Sequence, residues 1–314
     1  MSSLNTVLQL LGGVTAISTI YKISSFLWLY LRPSSLDKYH HGKPGSKWAL
    51  VTGASDGIGY GFVESLLSSG FNVLLHGRNL EKLSRIKDAL TKTHPNLSIR
   101  IVVADAFDAS PDDIAQIVST AQTLPGKLTV LVNNVGGAPV KPLFAPLAEQ
   151  DSAHVDKHLN LNARFPAQLT RALLPLLIAN GPSLVLNMTS GVALRGLPFL
   201  TTYSCSKAFN YTFSECLRAE MRAAAHDVEV LGIIIGNVKS ASNKVVYRGV
   251  TCSSLELARE ALSRVGCGRA NVWAWWRHAL QWGALAWVPD GVLEGQLIKA
   301  LIARKAAEEH QKGE

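Results

Sequence analysis

A chain of 314 residues with 47% hydrophobic and only 17% charged residues has ample material for one large core, and this excludes a disordered scaffold. Its four cysteines, Cys205, Cys216, Cys252 and Cys267, have neither the density of a disulfide framework nor a paired metal-ligand spacing, so no metal site is expected. The net charge of +8 comes from scattered lysines and arginines rather than one basic run, which argues against nucleic acid and suits phosphate-rich ligands or an anionic membrane.

The stretch from Leu4 to Leu31 is apolar or small-polar with one formal charge, Lys22. Its length suffices to cross a bilayer core of ~30 Å, and an amphipathic helix lying on the membrane is the other reading. Arg32, Lys38, Lys43 and Lys47 follow it, and the positive-inside bias then places the rest of the chain in the cytosol as a single-pass protein. Residues 34–46, with Pro44-Gly45, read as a polar linker, so 1–45 is expected to be anchor and linker and 46–314 the folded domain.

The apolar run Lys47 to Val51 leads into Thr52-Gly53-Ala54-Ser55-Asp56-Gly57-Ile58-Gly59 and then a helix-like segment. Strand, glycine turn and helix in that order form a dinucleotide site: Gly53 permits the tight turn, Gly57 the approach of pyrophosphate and Gly59 close helix–strand packing, with Ser55, Asp56 and Ile58 lining the turn. Strand-like runs follow at 71–76, 98–104, 128–132, 183–188 and 228–235, and helix-like stretches at 79–90, 112–122 and 164–179 lie between them. The alternation predicts an α/β fold, a Rossmann-type doubly wound parallel sheet with helices on both faces, preceded by the membrane helix.

At the end of the second strand, His76-Gly77-Arg78-Asn79 has no carboxylate for a ribose 2′-hydroxyl. Arg78 instead offers a planar cation for the 2′-phosphate of NADP, so NADPH/NADP+ is the expected cofactor, although Asp56 is an unhelpful charge near a phosphate. Tyr203 and Lys207 stand four apart, on one helix face. A phenol titrates near pH ~10, so it serves as an acid or base only beside a positive charge that stabilises its phenolate.

Five pieces together resemble the short-chain dehydrogenase/reductase family over roughly residues 47–240: the glycine turn, Asn133-Asn134-Val135-Gly136 after the fourth strand, Asn162, Ser190 thirteen residues before Tyr203, and the Tyr203/Lys207 pair. The resemblance implies that Tyr203 gives a proton to a carbonyl oxygen, that Ser190 polarises the carbonyl, that Lys207 lowers the phenol pKa and binds the nicotinamide ribose, and that Asn162 holds a proton-relay water. It also implies cofactor contacts at Asp105 on the adenine side, at Asn133 and Gly136, and at Val238 and Ser240. The family's P-G-x-V-x-T has become Ile235-Gly236-Asn237-Val238-Lys239-Ser240, without the proline.

Residues 237–265 are expected to be a substrate lid, with a capping box at Ser253-x-x-Glu256, and 266–314 a C-terminal extension. Five of the seven tryptophans crowd into 273–287, which suits either a membrane dip or the wall of a hydrophobic pocket. With the N-terminal segment, this resembles the family's branch of membrane-bound very-long-chain 3-oxoacyl-CoA reductases and 17β-hydroxysteroid dehydrogenases. The branch implies an endoplasmic reticulum address, a hydrophobic or acyl-CoA substrate in fatty-acid elongation, and homo-oligomers. Steroid or secondary-metabolite ketone reduction is the runner-up, and a catalytically silent membrane adaptor the third reading.

Overall fold

In the computed structural model, which describes residues 2–40, 45–138, 140–240, 243 and 245–310, seven strands form one parallel sheet in the order β3-β2-β1-β4-β5-β6-β9. The strands are β1 (Lys47–Thr52), β2 (Asn72–Gly77), β3 (Ile99–Val103), β4 (Lys127–Asn133), β5 (Ser183–Ser190), β6 (Val228–Ile235) and β9 (Asn271–Trp273). The order reverses between β1 and β4, and ligands of such sheets bind at the carboxyl ends of the strands beside that switch.

Both faces are covered, so the strands read as nearly continuous apolar runs rather than alternating ones. Ala49, Val51 and Val73 face one layer, built on α2 (Gly57–Ser68), α3 (Leu80–Thr93) and α8 (Ser254–Ser263). Trp48, Leu50 and Leu74 face the other, built on α4 (Pro111–Gln122), α6 (Phe165–Asn180) and α7 (Thr201–Ala223). Each fully buried Leu, Val or Phe contributes about 1.5–3 kcal/mol relative to exposure, so the two layers hold the switch point rigidly.

The first helix, α1 (Ser2–Leu31), is long and apolar enough to cross a membrane, and no part of its most apolar window is buried. The segment after it is not the polar spacer that its composition predicts. Leu29, Leu36 and Tyr39 are buried in the core, Tyr39 holds Glu229 through its hydroxyl, and its carbonyl accepts from Thr129 Oγ1 at 2.7 Å. Arg264, itself buried, donates to the Leu29 carbonyl, while Arg32 donates to that of Val265. Apolar side chains at 36 and 39 cover the sheet here, so the foot of α1 is part of the folded domain. Lys43 and Pro44 lie outside the described residues.

The expected lid over 237–265 divides in two. β7 (Val238–Lys239) pairs with β8 (Cys252–Ser253), and α8 then packs against α2, with Leu257, Ala258, Ala261 and Leu262 all buried. A Cβ on Gly61 of α2 would lie 2.7 Å from the Ser254 carbonyl, which shows how close the two helices approach. The second half of the expected lid is therefore part of the packed layer and not a mobile cover. The C-terminal part forms α9 (Trp276–Leu285) and α10 (Asp290–His310).

Candidate active site

The glycine turn closes on itself as a dinucleotide cradle requires. Gly53 adopts φ +64°, in the left-handed region that favours glycine. A Cβ on Gly59 would collide with the Gly53 carbonyl and lie 2.6 Å from Asn134 Nδ2, so the first turn of α2 can approach β1 only without side chains. The helix N-terminus therefore stands open at the switch point, where its amides and dipole favour a pyrophosphate. These residues fit a dinucleotide.

Asp56 caps α2 by accepting from Gly57 N at 2.6 Å, and its other oxygen takes Lys82 Nζ of α3 at 2.7 Å. The Lys82 bond, followed by the Gly57 amide, holds its carboxyl below the usual range against the opposing effect of burial. The sequence marks Asp56 as an awkward charge in a phosphate site, and the fold answers it with a cation from the neighbouring helix. Arg78 is exposed, lies over the Phe107 ring and faces Asp105 at 3.9 Å. Asp105 in turn accepts from Phe107 N at 3.0 Å.

Asn133 does not face the cradle. Its side chain is buried and donates to Thr170 Oγ1 and Asn187 Oδ1, both at 2.8 Å, because it ends β4 with its side chain on the core face. Asn134 takes the place expected of it, donating to the Thr52 carbonyl at 2.9 Å, while Thr52 Oγ1 accepts from the amides of Asn134 and Val135. Thr52 and Asn134 are thus the residues that fasten the turn to β4, and reading the motif alone passes over both.

Asn162 lies in a π-helical turn, Asn160–Arg164, rather than in regular helix. Its amide donates to the carbonyls of Gly137 (2.8 Å) and His158 (3.0 Å) and accepts from Gly137 N (2.8 Å), while its own carbonyl takes Asn210 Nδ2 at 2.7 Å. A π turn is a recurrent device at functional sites, and here it fixes the loop after β4 above α7.

Ser190 ends β5, and Tyr203 and Lys207 open α7 beside it; Thr189 Oγ1 donates to the Lys207 carbonyl at 2.8 Å and ties the two elements together. Burial raises the Tyr203 phenol above its ordinary pKa, and a hydrogen bond with Ser190 acts against it. The group is therefore a protonated acid at neutral pH. Lys207 Nζ is buried and donates to the Met188 carbonyl at 3.1 Å. Burial pushes the ammonium down to about 8. Gly136 packs directly over this group: a Cβ there would lie 2.8 Å from Asn162 Oδ1 and 2.9 Å from Lys207 Nζ. Gly136→Ala is expected to displace both side chains and lower kcat on the order of 10²-fold, the cost of a misplacement of about 1 Å, with an unchanged circular dichroism spectrum.

Val238 is buried in β7, and Ser240 directly follows that strand and donates through its amide to the Asn243 carbonyl at 3.0 Å. The tryptophans divide: Trp275 is buried and Trp273 and Trp282 pack against one another in a tilted arrangement with centroids 5.3 Å apart, whereas Trp276 and Trp287 are exposed.

A family model described as short chain dehydrogenase matches residues 47–250, about two thirds of the chain. The chain belongs to the short-chain dehydrogenase family. It is accordingly a nicotinamide-dependent oxidoreductase. As a short-chain dehydrogenase it is similar along nearly its whole length to the very-long-chain 3-oxoacyl-CoA reductase of Pyricularia oryzae, with 31% identity over 300 residues covering 92% of this chain and 86% of that protein. It is also similar to mouse 17-beta-hydroxysteroid dehydrogenase type 3, at 33% identity over 71% of this chain and 70% of that one. A short-chain dehydrogenase from Sphingobium yanoikuyae, solved in complex with NADPH, shares the fold with a TM-score of 0.64 at 23% identity, covering 80% of this chain and 94% of that one.

Proposed function

We propose that this short-chain dehydrogenase reduces the ketone of a 3-oxoacyl-CoA to a secondary alcohol with NADPH, its catalytic domain held at the cytosolic side of a membrane by α1. One observation carries the reading: at the carboxyl edge of the sheet, next to the glycine cradle, Ser190 hydrogen-bonds the Tyr203 phenol, and the buried Lys207 stands one helical turn further along α7.

NADPH, when bound, supplies the hydride. Tyr203 hydrogen-bonds the ketone oxygen and gives its proton as negative charge gathers there, which the raised phenol pKa permits at neutral pH. Ser190 donates to the same oxygen from the other side. Lys207 lies one helical turn beyond the phenol and stabilises the phenolate left behind. Asn162, braced by Asn210 and Gly137, keeps Lys207 and Gly136 in register and is the point at which a proton returns toward Lys207 from solvent.

Arg78, exposed at the end of β2, brings a planar cation suited to a 2′-phosphate, while Lys82 offsets the charge of Asp56 in the glycine turn. Arg78→Ala is expected to raise KM for NADPH roughly tenfold to 100-fold, the worth of one charge-assisted contact, while KM for NADH stays unchanged. Equal effects on both cofactors would remove Arg78 from the phosphate site.

A substrate with an apolar chain and a polar carrier suits a cavity of about 700 Å³ beside the first turn of α7, where Leu197, Leu297 and Ile298 share the wall with Arg195, Asp290 and Glu294. Neither Tyr203 nor Ser190 lines it, so it is a place for a chain and not for the reacting carbonyl. A steroid ketone is the second reading, favoured by the likeness to the mouse enzyme. Following NADPH oxidation by the purified full-length protein with a long-chain 3-oxoacyl-CoA and with a 17-ketosteroid separates them: turnover of the thioester alone is expected, and turnover of the steroid alone would overturn the substrate assignment. Pairing of two chains through α6 and α7, and residence in the endoplasmic reticulum, belong to this proposal as well.

A further inference from the structure

Two glycines in the catalytic half of the molecule have no room for a side chain, and one helix fills both places. A Cβ on Gly236, between β6 and Val238, would lie 2.6 to 2.9 Å from three atoms of the His278 ring. A Cβ on Gly191, the residue after Ser190, would collide with the Trp282 indole and come within 2.9 Å of Trp273. His278 and Trp282 stand four apart on α9, one turn apart on one face. That helix lies beyond residue 250, where the match to the family ends.

The contact at Gly236 is more than steric. His278 is fully buried, and both of its ring nitrogens are engaged by the loop backbone. The Gly236 amide donates to Nδ1 at 3.2 Å, which leaves the proton on Nε2, and Nε2 donates to the Asn237 carbonyl at 3.2 Å. Trp275 packs edge-on against the ring at 5.0 Å and fixes its plane. A proline would have set the backbone angle at this point of the loop and removed one amide. With Gly236 in its neighbourhood the backbone is at its most permissive, and the imidazole supplies the restraint from outside by holding one amide and one carbonyl.

We propose that His278 and Trp282 are positioning residues of the active site: α9 braces the two turns on which hydride transfer depends, His278 the strand that carries Val238 and Trp282 the turn that carries Ser190. The inference rests on the roles given above to Val238 and Ser190. Neither α9 residue touches the reacting atoms.

Four variants test it in the full-length protein: His278→Leu, which keeps bulk without hydrogen bonds; His278→Asn, which keeps an acceptor near the Nδ1 position; Gly191→Ala; and Gly191→Ala combined with Trp282→Leu. Amide hydrogen exchange without ligands and kcat with a 3-oxoacyl-CoA are the readouts. His278→Leu should speed exchange at 236–239 without changing β1, β4 or β5, and lower kcat on the order of 10²-fold with KM nearly constant. His278→Asn should recover most of that loss, and Trp282→Leu should restore activity lost in Gly191→Ala, a coupling that independent sites would not show. A folded His278→Leu protein with wild-type exchange and wild-type kcat overturns the brace. Accelerated exchange at 236–239 in a protein that reduces no ketone in any form leaves the brace standing and overturns the functional reading instead.

Discussion

Tyr203→Phe is expected to lower kcat/KM on the order of 10³-fold or more, because it removes both the proton donor and one of the two hydrogen bonds to the developing oxyanion. The fold should not notice. Among the described residues the phenol's polar link is to Ser190, whose Oγ also accepts from Val192 N at 3.4 Å, so the variant is expected to unfold within about 1 kcal/mol of the wild type. NADPH affinity, measured by fluorescence titration, should change by less than about threefold, since the glycine cradle and Arg78 are untouched. Retained turnover would remove Tyr203 from the mechanism and leave Ser190 and Lys207 without an acid to serve.

Lys207→Met should separate stability from activity. The ammonium is buried against the Met188 carbonyl with no carboxylate beside it among the described residues, and burial pushes it from 10.5 down to about 8. Folding therefore works against a charge at neutral pH. Between pH about 8 and 10.5 the unfolded chain keeps the Lys207 proton that the folded one gives up, so this group's share of the stability of the cofactor-free protein rises with pH through that window, while the thiols of Cys252 and Cys267, raised by burial, act in the opposite sense. The full gain is about 3 kcal/mol, and below pH 8 the whole penalty is present. Methionine fills similar space without charge, so the variant should melt roughly 5 °C higher at pH 7 and lose the share of the pH dependence above 8 that Lys207 supplies. Turnover should fall on the order of 10²–10⁴-fold, the usual reach of an acid–base group that has lost its support. A variant that is inactive but no more stable would show that Lys207 is not a buried, unpaired charge.

Such a trade is common where a site stores a destabilising group for function, and it explains why the most legible part of this sequence is also its least comfortable in the fold. Gly53, Gly57, Gly59, Ser190, Tyr203 and Lys207 are readable because a turn, a spacing and a helix face each need a particular residue type. The strands are readable because a sheet covered on both faces writes itself as apolar runs. Asn133 and Asn134 are different: neighbours on an extended strand point to opposite faces, and only the register of β4 between β1 and β5 decides that Asn133 enters the core and Asn134 meets the cradle.

Contacts distant in sequence leave still less trace. Lys82 pairs with Asp56 across 26 positions and His278 with Gly236 across 42, and nothing local to either residue announces the other. The docking of Leu36 and Tyr39 is hidden by a short segment that mixes charged and apolar residues. α8 was open to a closer reading: after its Ser253 cap, Leu257, Ala258, Ala261 and Leu262 repeat at helical spacing and mark a core-facing side, which a substrate lid would not need. The tryptophan cluster resolves by the same logic, because a residue such as Trp282 packs where a glycine leaves space, and the glycine is far away in the chain.

Deuterium transfer tests the central claim most directly. The purified full-length protein is given a long-chain 3-oxoacyl-CoA with NADPH carrying deuterium at the transferable position of the nicotinamide, and the product is read by mass spectrometry. Deuterium on C3 of a 3-hydroxyacyl-CoA, formed by the wild type and absent with Tyr203→Phe, is the predicted result. A product without the label, or labelled product formed equally well by the Tyr203→Phe variant, would contradict the account.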